Sequence, residues 1–514
     1  MPPNSAWGAD ELFAKIREID EILPHLEVFC AQVSSELSGS HISAEMFRRL
    51  GGMWLFHLAH QVAATESTTN EVDQTNELTI PFDNWTHTLE LIHSDKYRSQ
   101  FQSMLHVPQV LQVARLKSSA MMRPVAPISR LRQHFEGILQ TRRDLQERVL
   151  VVQPYLKCSS TRRIEAIIKT RKMLDWNDLD VKFASVAKIN EAKRRELVLA
   201  DGATNLRAVL QTLIPFVLPV AYGEAFSELR QHALRSSEQP RAMYSANASQ
   251  FHLPFQILSA VWGAEGTRIV SHQHGGHQGL DEACAAENYE ARTNDVHYTL
   301  GWTDQRSNVR SLPAAMPRKS RRVIKHRLLL MTVSHTDVIY RLQPFCMPSH
   351  TRLCAAETRA FLTQLTWPTK PVIRGSSRDI NAMQIQTSIE HEDFVEQGTI
   401  SASRSSLVIH NYMGVSWLET LAMNIPTVCF IPSGIHRFRA TAQPFAESLQ
   451  HIGILHYSGK EAAKFVNSLN GDPSSWWKSA EVQEAREAFV ARYANFSDNW
   501  VEAWQTEFES LLAR

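Results

Sequence analysis

A chain of 514 residues, 43% apolar and 21% charged, is too long for one hydrophobic core and too ordinary in composition to be disordered or fibrous, so two or three globular domains are expected. A net charge of +1 offers no broad field to nucleic acid or anionic lipid, which confines any such contact to a local patch. The 6 cysteines, Cys30, Cys158, Cys284, Cys346, Cys354 and Cys429, are scattered without a CxxC pair, the start has no basic-then-apolar leader, and no apolar run reaches the roughly 18 residues of a membrane span; a zinc finger, a disulfide framework, secretion and membrane insertion are therefore disfavoured, and a cytoplasmic protein is expected.

In chain order, ADELFAKIREIDEILPHLEVFCAQVSSEL and AEMFRRLGGMWLFHLAHQVAATE repeat apolar residues at helical spacing, with Pro24 marking a break or kink in the first. TTNEVDQTNE at 68–77 reads as a loop, and the charged stretch from RRIEAIIKTRK onward as further helix. Past residue 210 the pattern changes to short apolar runs alternating with helix-length segments, which predicts parallel strands joined by crossover helices. Strands are expected at 241–246, 267–272, 295–300, 327–333, 371–374, 405–410, 426–431 and 453–457. The basic run RKSRRVIKHR at 318–327 separates the two groups and reads as a solvated linker or as a patch for a membrane surface or an anionic substrate. The division is then a helical region over 1–210, a first Rossmann-like domain over 211–315, a second over 316–475 and a last helical segment over 476–514.

Two stretches carry chemistry. SHQHGGHQG at 271–279 follows a strand and precedes a helix, a setting that aims backbone N–H groups at the ligand edge of a parallel sheet. Gly275, Gly276 and Gly279 permit close approach, while Gln273, His274 and His277 supply donors or a proton-transfer group. A metal held by His272, His274 and His277 and a plain structural turn are the competing readings; no fixed carboxylate completes a metal set, which favours anion or substrate binding. In the second stretch, SSLVIHNYMGVSWLETLAMNIPTVCFIP at 405–432, a strand enters a polar loop and then a helix, the shape of a nucleotide site. Ser416 at the helix start can meet phosphate, and Glu419 one turn later can accept two ribose hydroxyl protons; a solvated helical glutamate is the plainer account.

Taken in order, RRLGGMWLFHLAHQ (48–61), LTIPFDNW (78–85), QHGGHQG (273–279), ENYE (287–290), DVHYTLGW (295–302), VIRG (372–375), NYMGVSWLETLAMNIPT (411–427) and DPSSWWKSAEVQEAREAF (472–489) make the chain resemble a family of bacterial surface-polysaccharide transferases of O-antigen and capsule clusters. That family is similar to the GT-B glycosyltransferases that use CMP-activated keto-sugars such as Kdo or pseudaminic acid. The resemblance implies an α/β fold of two facing Rossmann-like domains with a large helical N-terminal region, the last helix crossing back onto the first domain and the WW pair at 476–477 anchoring it. It also implies an acceptor-side loop of Gln273, His274, Gly275, Gly276, His277 and Gly279, with His274, Glu287 and Glu290 as catalytic candidates. On the donor side it implies Arg374, His410, Asn411, Tyr412, Gly414, Ser416 and Glu419 around the nucleotide, His410 and Asn411 standing where relatives often carry acids.

No metal or cofactor is expected. The implied partners are a nucleotide-sugar donor and a glycan or lipid-linked glycan acceptor, with work at the inner face of the membrane and no nucleic acid. A CDP-alcohol or a UDP- or GDP-sugar on the same fold, and a catalytically silent scaffold of polysaccharide assembly, are the alternatives.

Overall fold

The computed structural model describes residues 8–65, 77–80, 110–113, 149–152, 171–172, 188–198, 205–236, 239–314, 323–334, 342–375, 394–396 and 402–513. Most of LTIPFDNW, the loop before it, the charged stretch 173–187 and the first half of the basic run lie outside the described residues.

Two parallel sheets organise the chain. The first has the order β4-β3-β5-β6-β7-β8, built from Val149–Val151 (β3), Arg171–Lys172 (β4), Ala242–Ser245 (β5), Arg268–His272 (β6), Val296–Thr299 (β7) and Val309–Ser311 (β8). The second has the order β11-β10-β9-β12-β13-β14, from Leu328–Met331 (β9), Val372–Gly375 (β10), Phe394–Glu396 (β11), Leu407–His410 (β12), Thr427–Phe430 (β13) and Leu455–His456 (β14). A separate pair joins Glu77–Ile80 (β1) to Val110–Val113 (β2). The second sheet follows the doubly wound 3-2-1-4-5-6 order, which reverses direction between β9 and β12 and opens a crevice at their carboxyl ends. Strands such as AMYS, VHYT, LLLM, LVIH and TVCF are buried at every position, as parallel strands covered on both faces must be.

All eight expected strands are present within two residues of their predicted ends. The helical reading of 1–210 needs correcting, because β1 to β4 all fall inside it and β3 and β4 form one edge of the first sheet. Runs of two to four residues are too short to display a period, so nothing distinguished them from helix. Pro24 breaks nothing: one helix runs from Ala9 to Ser38 through it, its buried stripe of Leu12, Phe13, Ile16, Ile19, Leu23 and Leu26 outweighing the single backbone bond that proline removes.

The N-terminal helices form the wall on which the first sheet's site-bearing helix rests. Ala44–Thr65 packs against Ala9–Ser38, Leu253–Ala264 and Ala285–Thr293. Gly52 makes the last contact feasible, since a Cβ there would stand 2.9 Å from the Tyr289 hydroxyl. That hydroxyl donates to the Arg48 carbonyl at 2.8 Å, and Asp295 takes an ion pair from Arg49 at 3.1 Å.

The other face of the first sheet is closed by the end of the chain. Trp500, Trp504, Phe508 and Leu511 of the helix Trp500–Ala513 pack with Val149, Ala242, Tyr244, Val270, Val296 and Tyr298. The WW pair stays in the second domain, where Trp476 donates to the Ile452 carbonyl at 2.8 Å and Trp477 to the Asn424 side chain at 2.7 Å. Two parallel Rossmann-like sheets, a helical N-terminal region and a terminal helix returned to the first sheet make up the GT-B arrangement that the resemblance implied. Among the described residues no helix is long and apolar enough to cross a membrane.

Candidate active site

The loop after β6 is held in shape by Gln273. Its side-chain oxygen accepts from the Leu300 amide at 3.0 Å and the Trp302 indole at 2.8 Å, and its amide nitrogen donates to the Gly275 carbonyl at 2.7 Å. Gln273 is therefore a brace and not a ligand-facing donor: both ends of a buried amide are already bonded to the loop they support.

The arch delivers Gly276 to the opposite domain, whereas a Cβ on Gly275 would meet nothing within 4 Å. A Cβ on Gly276 would stand 2.7 Å from the Met413 carbonyl oxygen and nearer still to the Gly414 carbonyl, so the loops after β6 and β12 meet backbone to backbone. Only glycine leaves room for that approach. Gly276→Ala is expected to force the two loops apart at a cost of about 1–3 kcal/mol. Thermal unfolding beside turnover would show this as a lowered midpoint together with lost activity, whereas an unchanged pair of values would mean that the loops separate freely.

His274 stands on this arch with a side chain 20% exposed. Its Nδ1 lies 3.6 Å from Oε1 of Glu290, and the Gln250 amide nitrogen is 3.1 Å from its Nε2 and 3.0 Å from the same carboxylate oxygen. An amide nitrogen only donates, so the Nε2 lone pair receives the Gln250 N–H and the ring proton falls on Nδ1, on the side of Glu290. Separations of this length tighten when substrate closes a site.

Behind Glu290 runs a buried chain. The Gln278 amide nitrogen donates to Glu290 Oε2 at 2.7 Å, its oxygen accepts from His297 Nε2 at 3.0 Å, and His297 Nδ1 faces the Ser271 hydroxyl at 2.8 Å. Burial holds His297 at a pKa of about 3, so the ring stays neutral and can pass one hydrogen bond in and one out. Ser271 and His297 are register partners on β6 and β7, which is how the sheet keeps Glu290 aimed.

Glu287, one turn earlier on Ala285–Thr293, has a different fate. It takes Arg306 at 2.7 Å, Arg439 at 2.9 Å and the Gly279 amide at 2.7 Å. Both oxygens of this carboxylate are engaged by two guanidiniums and a backbone N–H, the geometry of a tie between loops in place of the catalytic role the resemblance implied. It ties the loops after β7 and β13 to the loop after β6. The same seam continues in Glu282 N donating to Arg437 O and Arg439 N donating to Leu280 O, both at 2.9 Å.

The three histidines of the metal reading diverge. His272 is buried against Trp504, ring centroids 5.6 Å apart, with its nitrogens near the Gln273 and Leu312 carbonyls at 3.0 and 3.3 Å. His277 turns to Asp281 at 3.5 Å and stacks on Phe345. His436 approaches the other oxygen of Asp281 at 3.4 Å, a grouping with no local signal in the sequence. Among the described residues no group of three His, Cys, Asp or Glu side chains is arranged to hold a metal ion.

Across the cleft, Gly414 is the N-cap of the helix Val415–Ala422, and Ser416 and Glu419 are half-buried on it. Arg374 is level with Met331 and His410 on neighbouring strands, at the carboxyl end of β10 beside the crevice. His410 and Asn411, in contrast, are fully buried and support the loop from below. His410 Nε2 pairs with the Thr420 hydroxyl at 3.1 Å, while Asn411 accepts from Val333 N at 2.7 Å and donates to the Thr358 hydroxyl at 3.0 Å. Their removal from the donor-contacting set follows from that burial. Tyr412 packs its ring against Gly414, where no Cβ would fit.

The sequence matches the profile described as LIC12162 family transferase over residues 55–508, most of its length and both loops. The chain belongs to the LIC12162 family of transferases. No curated protein matches it. Among solved structures, the transferase is similar to a spinosyn rhamnosyltransferase complexed with spinosyn aglycone (10% identity, 71% of this chain and 100% of that one, TM-score 0.35). It is also similar to a glycosyltransferase from Rickettsia africae (11%, 71% and 99%, TM-score 0.35) and to a wall teichoic acid polymerase (9%, 76% and 99%, TM-score 0.34).

Proposed function

We propose that this transferase is a metal-independent glycosyltransferase that moves a CMP-activated keto-sugar, Kdo, pseudaminic acid or a related nonulosonate, onto a surface polysaccharide or lipid-linked glycan at the cytoplasmic face of the membrane. One observation carries the reading: Gly276 and Gly414 touch, so the His274–Glu290 pair and the start of Val415–Ala422 border one cleft. An acceptor hydroxyl that displaces the Gln250 N–H gives its proton to His274 Nε2 while Glu290 stabilises the resulting imidazolium. The acceptor oxygen bonds to the anomeric carbon, the bond from that carbon to the phosphate oxygen breaks, and CMP departs. Backbone N–H groups at 414–416 and the Arg374 guanidinium suit the charge on that leaving phosphate.

A panel of CMP-, CDP-, UDP- and GDP-linked donors offered in EDTA tests this. Slow hydrolysis or binding of a CMP-linked donor is expected, and Glu419→Ala should weaken nucleotide binding by about 1–3 kcal/mol in calorimetry through loss of its ribose hydrogen bonds. Preference for a CDP-alcohol or for a UDP- or GDP-sugar would replace the donor, activity restored only by a divalent ion would overturn the metal-free mechanism, and binding of no nucleotide would favour a scaffold.

A further inference from the structure

A cavity of about 560 Å³ opens where the two domains and the helix Ala480–Tyr493 meet, and it belongs to neither of the loops discussed above except at Gly279. Its walls come from residues 302–306 after β7, residues 439–441 after β13, and Arg492 with Tyr493 at the end of that helix. Both sheets therefore present their carboxyl edges to it, the edge at which parallel sheets receive ligands.

The seam around it is firmly built. Gly301 has φ +123°, and a Cβ there would stand 2.8 Å from the Arg492 carbonyl oxygen. Asn495 N donates to the Leu300 carbonyl at 2.8 Å, and the Tyr493 hydroxyl donates to the Thr441 carbonyl at 3.0 Å.

Three arginines and one acid, Asp304, line this space, and Glu287 pairs with two of the arginines from outside the lining. Arg306 is shared between Asp304 and Glu287, and Arg439 reaches Glu287 through Nη2 at 2.9 Å and the Asp281 carbonyl through Nε at 3.0 Å, which leaves Nη1 of Arg439 with no acceptor among the described residues. The Arg439 guanidinium lies over the Trp302 ring at 5.5 Å, which fixes its plane. Arg492 donates to the Thr303 carbonyl at 3.2 Å and has no carboxylate within ion-pair distance among the described residues. A guanidinium carries five donors in a rigid fork that matches the oxygens of a phosphate or carboxylate. The volume falls within the few hundred Å³ typical of small-molecule sites, larger than a bare ion requires.

We propose that this cavity is a binding site for a small molecule bearing a phosphate or carboxylate group, held between Arg439 and Arg492 beside the Trp302–Arg306 loop. The proposal is independent of the donor assignment, since it stands on the cavity's own walls. An occupant would be gripped by both domains and by the returning helix together, and would hold the cleft in the arrangement described here.

Calorimetry at low ionic strength on the full chain tests it, with inorganic phosphate, glucose 6-phosphate, glucuronate, CMP and uncharged glucose as probes. Binding of glucose 6-phosphate or glucuronate ahead of inorganic phosphate would identify an acidic sugar as the occupant, and equal binding of phosphate alone would identify the free ion. In either case Arg492→Ala should weaken the anion by at least about tenfold, the loss of one charge-assisted contact, and Arg492→Lys should weaken it less. Arg374→Ala should leave the binding of glucose 6-phosphate and glucuronate unchanged while weakening CMP, whose phosphate meets Arg374 in the donor assignment. Arg492 bonds only a loop carbonyl at the surface, so its variants are expected to fold, and thermal unfolding checks that. The proposal is overturned if no anion binds at millimolar concentration, if glucose binds equally, or if Arg374→Ala abolishes binding of glucose 6-phosphate or glucuronate that Arg492→Ala leaves intact.

Discussion

His274→Ala is expected to lower turnover by about 10²–10⁴-fold while the protein stays folded, the usual share of a general acid or base. The side chain is open to the cleft and rests on Glu290 and Gln250, so its loss removes a proton acceptor without emptying the core. Glu290→Gln separates orientation from charge. It keeps the contact with Gln278 but removes the negative charge that steadies a protonated His274, so it should cost less than His274→Ala and shift the acid limb of the pH–rate profile toward lower pH. His272→Ala and His277→Ala should cost less in turnover, because those rings pack against Trp504 and Phe345. Near-normal turnover in His274→Ala would end the catalytic assignment, and a melting point far below the parent would make the loop a structural turn. Equal losses at all three histidines would revive the metal reading.

Acidification is expected to destabilise the fold steeply below about pH 6.5. Burial holds four histidines well under their ordinary value, His272 and His436 at about 4 and His297 and His410 at about 3. Each is neutral in the folded protein while its unfolded counterpart takes up a proton as the pH falls through about 6.5. The unfolded state then binds more protons, so stability present above pH 6.5 is lost on the way down toward the folded values, each group contributing about 1.4 kcal/mol per pH unit. Asp20 acts in the opposite sense. Burial raises its carboxyl to about 6, so the folded state binds a proton that the unfolded state releases down to about pH 4, and it offsets one histidine. The remaining three give a slope of about 4 kcal/mol per pH unit near pH 5. Urea unfolding followed at several pH values should show a flat midpoint near neutrality and a sharp fall between pH 6 and 5. A midpoint constant over that range would mean that these rings gain protons while folded.

The sequence by itself determined the parts that local patterns encode. Buried parallel strands are short apolar runs bounded by turn residues, so LVI at 407–409 and TVCF at 427–430 were legible, as was the glycine-rich turn that follows β6. Strands β3 and β4 were not, because three and two residues carry no period and belong to a sheet only through Ala242–Ser245, some seventy to ninety residues further on. The division of labour within the site was decided by tertiary structure alone. Glu287 and Glu290 are the same residue type one turn apart, yet one meets two arginines, of which Arg439 is 152 residues away, and the other meets His274 and Gln278. Gln273 looked like a donor for ligand until the loop after β7 occupied its oxygen. His436 had no local mark at all, since its partner Asp281 lies in the other domain. A histidine, a glutamate or an amide acquires its role from the charge and the hydrogen bonds that surround it, and those neighbours are assembled only when distant segments pack together.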